Sequence, residues 1–476
     1  MYAFNVVSTT NIDSYPIGRS TIDLLSDDVL LYIFDSYRQV VKHDEGTWPW
    51  RLLVSVCQRW RHIILKWPHH LNLLLDCKSR SAVEKAQDVW PAFPMFIRSR
   101  YSGDHVISAL KHRDRVVGIH FSLLSRRQLE ICASLMEEPF PALRTLFLRC
   151  CTKDSDAPVI TDAFLGGSAP CLQRIELWRV PFPTLPNLLL SASNLVHLHL
   201  EDITNIGYIS PDVMATCLAM LTRLQYVDIS FSSKKSFPDQ TNRCPPPPAR
   251  AVLPAITTFM FEGISEYLED LMARIDVPLL DHLVLHLFYQ PIIDMRQLPQ
   301  LICRTEKFEL KPPVEAKVVF LHNDVDIFLL PSESVYSYLL FRLVGARSEE
   351  QLSWLAQICT QCLALLSCVH KLMLNPVYFA PPPPQDWQDL MPWLGFLRPF
   401  NSVRILHVHE LEVLIARLLG ELTGERATQV LPMLHTLVLE SDQSEALLTR
   451  ILKPFIDARR LLDHPVKVHW RKPDNR

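Results

Sequence analysis

One short string recurs along most of this chain, and it leaves few folds open. It reads L-x-x-L-x-L, or a close apolar variant, in PALRTLFL from Pro141, PCLQRIEL from Pro170 and SNLVHLHL from Ser193. It continues in TRLQYVDI from Thr222, PAITTFMF from Pro254 and PLLDHLVL from Pro278. Weaker copies follow as CRTEKFEL from Cys303 and SVYSYLLF from Ser334. Clearer ones return as SCVHKLML from Ser367, NSVRILHV from Asn401 and PMLHTLVL from Pro432. Starts lie about 23 to 35 residues apart, which gives each copy room for one strand and one connecting segment. Side chains alternate across a strand, so Leu146 and Leu148 turn into one core while Thr145, Phe147 and Arg149 face the other way. Helical periodicity fills 125–138, 211–221, 264–275, 349–366 and 444–458 between the strings. Strand then helix at a near-constant period predicts units that bury their apolar faces on their neighbours. An ordinary α/β sheet with leucine-rich strands is the other fold open to such a chain, but it gives no reason for one string to return so often.

The pattern is similar to a leucine-rich repeat in degenerate form. Lengths vary, and the Asn/Cys position that usually follows the strand is missing. The resemblance implies an α/β solenoid over 125–470. Strands at 70–76, 93–100 and 115–124, with a helix at 81–89, lead into it over 71–124. Two proline runs, Cys244 to Pro248 and Pro381 to Pro384, favour extended backbone and read as inter-repeat loops near 232–250 and 380–386. The stretch 232–248 is the expected mobile loop, 1–20 an N-terminal extension and 471–476 a solvated tail.

Ahead of the repeats, Leu24 to Trp67 carries two apolar helical runs with a polar linker between them. Ser26 is placed to cap the first, with Asp27 and Asp28 where the helix dipole favours negative charge. Val29, Leu30, Ile33 and Phe34 then share one face, and Leu52, Leu53, Val56, Cys57 and Trp60 share another in the run that starts at Trp50. The order L-S-D-D-V-L-L-Y-I-F, then L-L-V-S-V-C-Q-R-W-R, then an apolar run closing on Trp67-Pro68, resembles an F-box. The most diagnostic piece is V-C-x-R-W-R at Val56 to Arg61. Two departures stand out: Leu25-Ser26 replaces the family's usual Leu-Pro, removing one apolar contact to the adaptor, and the linker from Arg38 to Pro49 is longer than in compact members.

The resemblance implies a small helical module over 21–70 that docks on the Skp-type adaptor of a cullin-RING (SCF) ubiquitin ligase. Leu25, Val29, Leu30, Ile33, Phe34, Leu53, Val56, Cys57 and Trp60 then divide between adaptor contact and the module's own core. The repeats would hold a protein substrate, with no catalytic side chain and no cofactor. A non-catalytic repeat scaffold, whose N-terminal helices only cap the array, is the alternative.

Composition and motifs narrow the remaining classes. A net charge of -3 gives no electrostatic case for nucleic acid or an anionic membrane. No stretch reads as a membrane span or a signal peptide, and twelve scattered cysteines fit reduced thiols. A cytoplasmic or nuclear location is expected. Only twelve glycines in 476 residues argue against phosphate-cradling loops, and G-x-S-x-G, H-E-x-x-H and both glycine-rich phosphate motifs are absent. Cys359 and Cys362 form a C-x-x-C without a second pair, and paired histidines such as His197/His199 and His407/His409 lack a third ligand, so no metal is expected. What remains is surface. Phe147, Arg149, Trp178, His199, Tyr226, Asp228, His286 and His409 are outward strand positions of types enriched at protein interfaces. They form the expected substrate face, with Arg174, Glu176, His197, Met260, His282 and His407 beside them.

Overall fold

The computed structural model describes residues 21–40, 49–66, 75–77, 79, 81, 83, 94–99, 104–151, 159–238, 245, 247–331, 339–376, 391–409, 415, 418–419, 422, 426–440 and 445–471. The chain divides into two compact units, Met1–Asp76 with Glu84–Met95, and Cys77–Val83 with Phe96–Arg476.

The smaller unit holds helices α1 (Asp27–Val40), α2 (Pro49–Val56) and α3 (Gln58–Lys66). Ser26 Oγ accepts the Val29 N–H at 3.4 Å, so the serine does cap α1. The apolar run from Trp50 is two helices rather than one. They break at Cys57, whose Sγ takes the Trp60 N–H at 3.4 Å and so substitutes for an N-cap oxygen. Leu30, Leu31, Phe34, Ile63 and Ile64 are buried, and Phe34 packs on Trp60. Arg59 reaches back to donate to the Leu25 carbonyl at 2.5 Å and to Asp27 at 2.8 Å, tying α3 to the start of α1.

Strands β1 to β7 are Leu75–Cys77, Met95–Ser99, Val116–Leu124, Thr145–Cys150, Arg174–Trp178, His197–Ile203 and Tyr226–Phe231. Strands β8 to β14 are Ala251–Val252, Thr258–Gly263, Ile275–Asp276, His282–Phe288, Pro313–Phe320, Asp324–Pro331 and Leu339–Val344. Strands β15 to β18 are Lys371–Pro376, Ile405–His409, Thr436–Glu440 and Lys467–Arg471. They build one sixteen-stranded sheet in the order β1-β2-β3-β4-β5-β6-β7-β9-β11-β14-β13-β12-β15-β16-β17-β18, while β8 and β10 pair separately. From β3 onward neighbours are parallel, except that β13 runs antiparallel to both β14 and β12. The fold is mixed α/β around a large, mostly parallel sheet.

One face of that sheet is the core. Leu146, Leu148, Ile175, Leu177, Leu198, Leu200, Val227 and Ile229 are buried, each an L-x-x-L-x-L position. Helix Arg126–Leu135 lies against β3 and helix Ser265–Met272 against β9. Near the C-terminal end of the chain, the fully buried Arg459 donates to the carbonyls of Ala427, Leu431, Pro432, Leu434 and His464. No helix among the described residues is long and apolar enough to cross a membrane.

Two sequence expectations need correction. The string at Cys303 is not a strand; it lies in helices Gln297–Arg304 and Glu306–Leu310. Thr305, between them, turns its hydroxyl back to the Leu301 carbonyl at 3.0 Å, and Leu310 ends up exposed, so EKFEL has no second apolar residue to bury. The sheet positions fall instead to β12 and β13, a hairpin outside the repeat pattern. The stretch 232–248 begins pinned, with Phe237 4.4 Å from the Phe231 ring, and 239–244 and 246 lie outside the described residues. So do most of 81–89, residues 70–74 and the run 381–384.

Candidate functional site

The face opposite the core is open, and register decides which side chains meet on it. Cross-strand pairing sets His120, Phe147, Glu176, His199, Asp228 and Met260 in one row from β3 to β9. Beside it run Thr145, Arg174, His197, Tyr226, Thr258 and His282. On the other side stand Arg149, Trp178 and Glu201, and further along Ser230, Glu262, His286 and Arg342. Parallel strands about 4.8 Å apart bring such neighbours into van der Waals contact.

The rings form a ladder. His120 stacks on Phe147 with centroids 4.1 Å apart, Trp178 stacks on His199 at 5.5 Å, and His197 stacks on Tyr226 at 4.1 Å. Phe147 and Trp178 lie 6.5 Å apart, and the Arg149 guanidinium sits 4.4 Å over the Trp178 ring. Trp178 Nε1 and His197 Nε2 are buried atoms without a hydrogen-bond partner in the protein. Such groups lose hydration without compensation unless something covers and satisfies them.

Carboxylates thread through the ladder. His199 Nε2 lies 2.9 Å from Glu201, and its Nδ1 lies 3.8 Å from Asp228. Tyr226 donates to Asp228 at 3.2 Å, and Ser230 donates to Glu262 at 3.1 Å. Burial pushes the Asp228 and Glu201 carboxyls up from their usual range. Glu262 moves the other way because His286 hydrogen-bonds to it. Burial, helped by the nearby Arg174 charge, lowers His197 to about 4. Arg342 makes a two-pronged pair with the buried Asp326 at 2.6 and 2.7 Å, which closes this stretch of the face.

Phe147, Arg149, Trp178, His199, Tyr226 and Asp228 therefore come together on β4 to β7, and His286 joins them on β11 through Glu262. His409 does not. It lies on β16, with β14, β13, β12 and β15 between, and shares Glu440 with His407 at 3.8 and 3.2 Å. Sequence reasoning missed His120, Glu201, Glu262 and Arg342. Glu201 was findable, because it follows His199 by two residues on one strand. Val284, in the Met260 row, is buried.

The expected adaptor residues separate cleanly. Val29, Ile33, Val56 and Cys57 are exposed, Leu25, Leu53 and Trp60 are half-buried, and Leu30 and Phe34 are buried. Those last two are packing residues of the helical unit, not free contacts. Among the described residues no three metal-ligating side chains converge. Cys359 and Cys362 are both buried, and burial pushes the Cys362 thiol up to about 12.

No protein-family model matches this chain, and no curated protein is significantly similar to it.

Proposed function

We propose that this chain is the substrate receptor of an SCF-type ubiquitin ligase, with α1 to α3 as an F-box that docks on a Skp-type adaptor. The observation that carries this reading is how the helical unit sorts its apolar residues. Leu30, Phe34, Ile63 and Ile64 are buried, while Val29 is 44%, Ile33 39% and Val56 59% exposed. A unit this small has used its core and left aliphatic side chains in water, the arrangement of a surface awaiting a partner. Strand order follows chain order except where β12 to β14 are met in reverse, and together with the recurring string this supports a leucine-rich-repeat-like solenoid. The ring ladder of β3 to β7 is then the place for a protein substrate. The receptor's contribution to rate is proximity, since holding an acceptor lysine near the charged enzyme raises its effective concentration.

Affinity purification of the full chain with mass spectrometry tests this. Wild type is expected to bring down adaptor and cullin peptides, and a Val29→Ala, Ile33→Ala, Val56→Ala variant to lose them. Their absence from the wild-type sample would contradict the reading.

A further inference from the structure

The far end of the sheet is built differently from the ring ladder. Among the described residues β18 pairs only with β17, so alternate peptide groups of Lys467–Arg471 point away from the sheet with no strand to meet them. A cleft of about 540 Å³ opens on the same face, with Met373, Ile405 and Val438 as an apolar floor and Lys371, His469 and Arg471 among its other walls. Lys467, His469 and Arg471 alternate as exposed residues along β18. Two other cations on the sheet are matched: Lys371 is held by Glu315 at 3.1 Å and Arg342 by Asp326. Lys467 and Arg471 make no ion pair among the described residues. Charge on an edge strand guards against edge-to-edge association, but guarding calls for no apolar cleft beside it.

The geometry points to a docking site for an extended, acidic segment of a partner protein, which adds to β18 as a further strand. Its backbone takes the free peptide groups of the edge. Side chains on the cleft side recur at every second residue, so a carboxylate, an apolar residue and a second carboxylate at i, i+2 and i+4 fall beside Lys467, His469 and Arg471. The two carboxylates meet the unpaired cations, and the apolar side chain leans over His469 into the cleft. The occupant class follows from charge complementarity, and the inference stands apart from the ligase reading, since neither uses the other's residues.

The test is fluorescence anisotropy on the full chain with an end-capped peptide reading T-T-E-T-L-T-E-T-T and a control reading T-T-K-T-L-T-K-T-T. Saturable binding of the first is expected, with the lysine control at least about tenfold weaker, as removal of a charge pair predicts. Arg471→Glu, an exposed position, is expected to weaken the acidic peptide by a similar factor. Replacing the central leucine by alanine should also weaken it, and this arm alters no protein residue. Absence of saturable binding at millimolar peptide, equal binding of the control, or full binding by Arg471→Glu would each overturn the proposal. So would a concentration-dependent dimer broken by Arg471→Glu, since the edge would then belong to a second copy of the chain.

Discussion

The rings of Phe34 and Trp60 lie 4.8 Å apart and tilted by 58°, joining α1 to α3 through a contact that leaves the adjacent Ile33 outside. Neighbouring residues are thereby given opposite jobs. Phe34→Ala should cost about 3–5 kcal/mol of stability in the helical unit, read as a lower urea midpoint in the Trp60 environment. Ile33→Ala should change that stability by no more than about 0.5 kcal/mol, while weakening adaptor binding.

Arg459 predicts a stability effect in the last part of the chain. Its guanidinium is spread over five carbonyls, and its bonds to those of Ala427, Leu431 and Leu434 are buried, so removing the side chain strips buried acceptors of their donor. Arg459→Met should destabilise the C-terminal part of the sheet by about 3–5 kcal/mol. Lysine keeps the charge but not the fork, so Arg459→Lys should recover less than half of the loss. Denaturant unfolding of both variants checks this.

His197 gives a pH dependence with a definite sign. Burial holds its folded pKa near 4, below the ordinary value of about 6.5. The unfolded chain therefore binds the extra proton first, and the stability owed to this group is lost as pH falls from about 6.5 towards 4. Arg174, Glu176 and His199 contribute to the local field. In His197→Gln that part of the acid sensitivity should vanish, so the difference in unfolding free energy from wild type should shrink between pH 7 and pH 5.

Trp178 is the expected anchor of the open face, because Arg149, Phe147 and His199 all pack on it. Trp178→Ala should weaken capture of the substrate by about 30-fold or more, the scale of an interface hot spot. His409→Ala, with four strands between it and His286, should leave that capture unchanged. Quantitative pull-down of the identified substrate with each variant is the check.

Much of the sheet was legible because burial was written as alternation. Leu146 and Leu148, Leu198 and Leu200, Leu437 and Leu439 are buried as the strings require. The β12–β13 hairpin was not, since PVEAKVVF and DVDIFLLP carry no L-x-x-L-x-L. That gap hid the strand order and put His409 in the wrong company. The last strand, Lys467–Arg471, alternates exposed with half-buried residues and so leaves no apolar signature at all. Within the helical unit, shared faces were visible, but periodicity could not say that Phe34 turns inward and Ile33 outward. Only the partner ring on α3 decides that. On the open face, types and strands were readable, whereas contacts such as His286 with Glu262 depend on the register between β9 and β11.

The most direct test is a calorimetric titration of the full chain with a purified Skp-type adaptor, wild type beside a Val29→Glu, Ile33→Glu variant. The account predicts one-to-one binding by wild type and a loss of about 100-fold or more in the variant, with circular dichroism and the unfolding midpoint unchanged. A wild-type chain that does not bind, or a folded variant that binds as tightly, would contradict it.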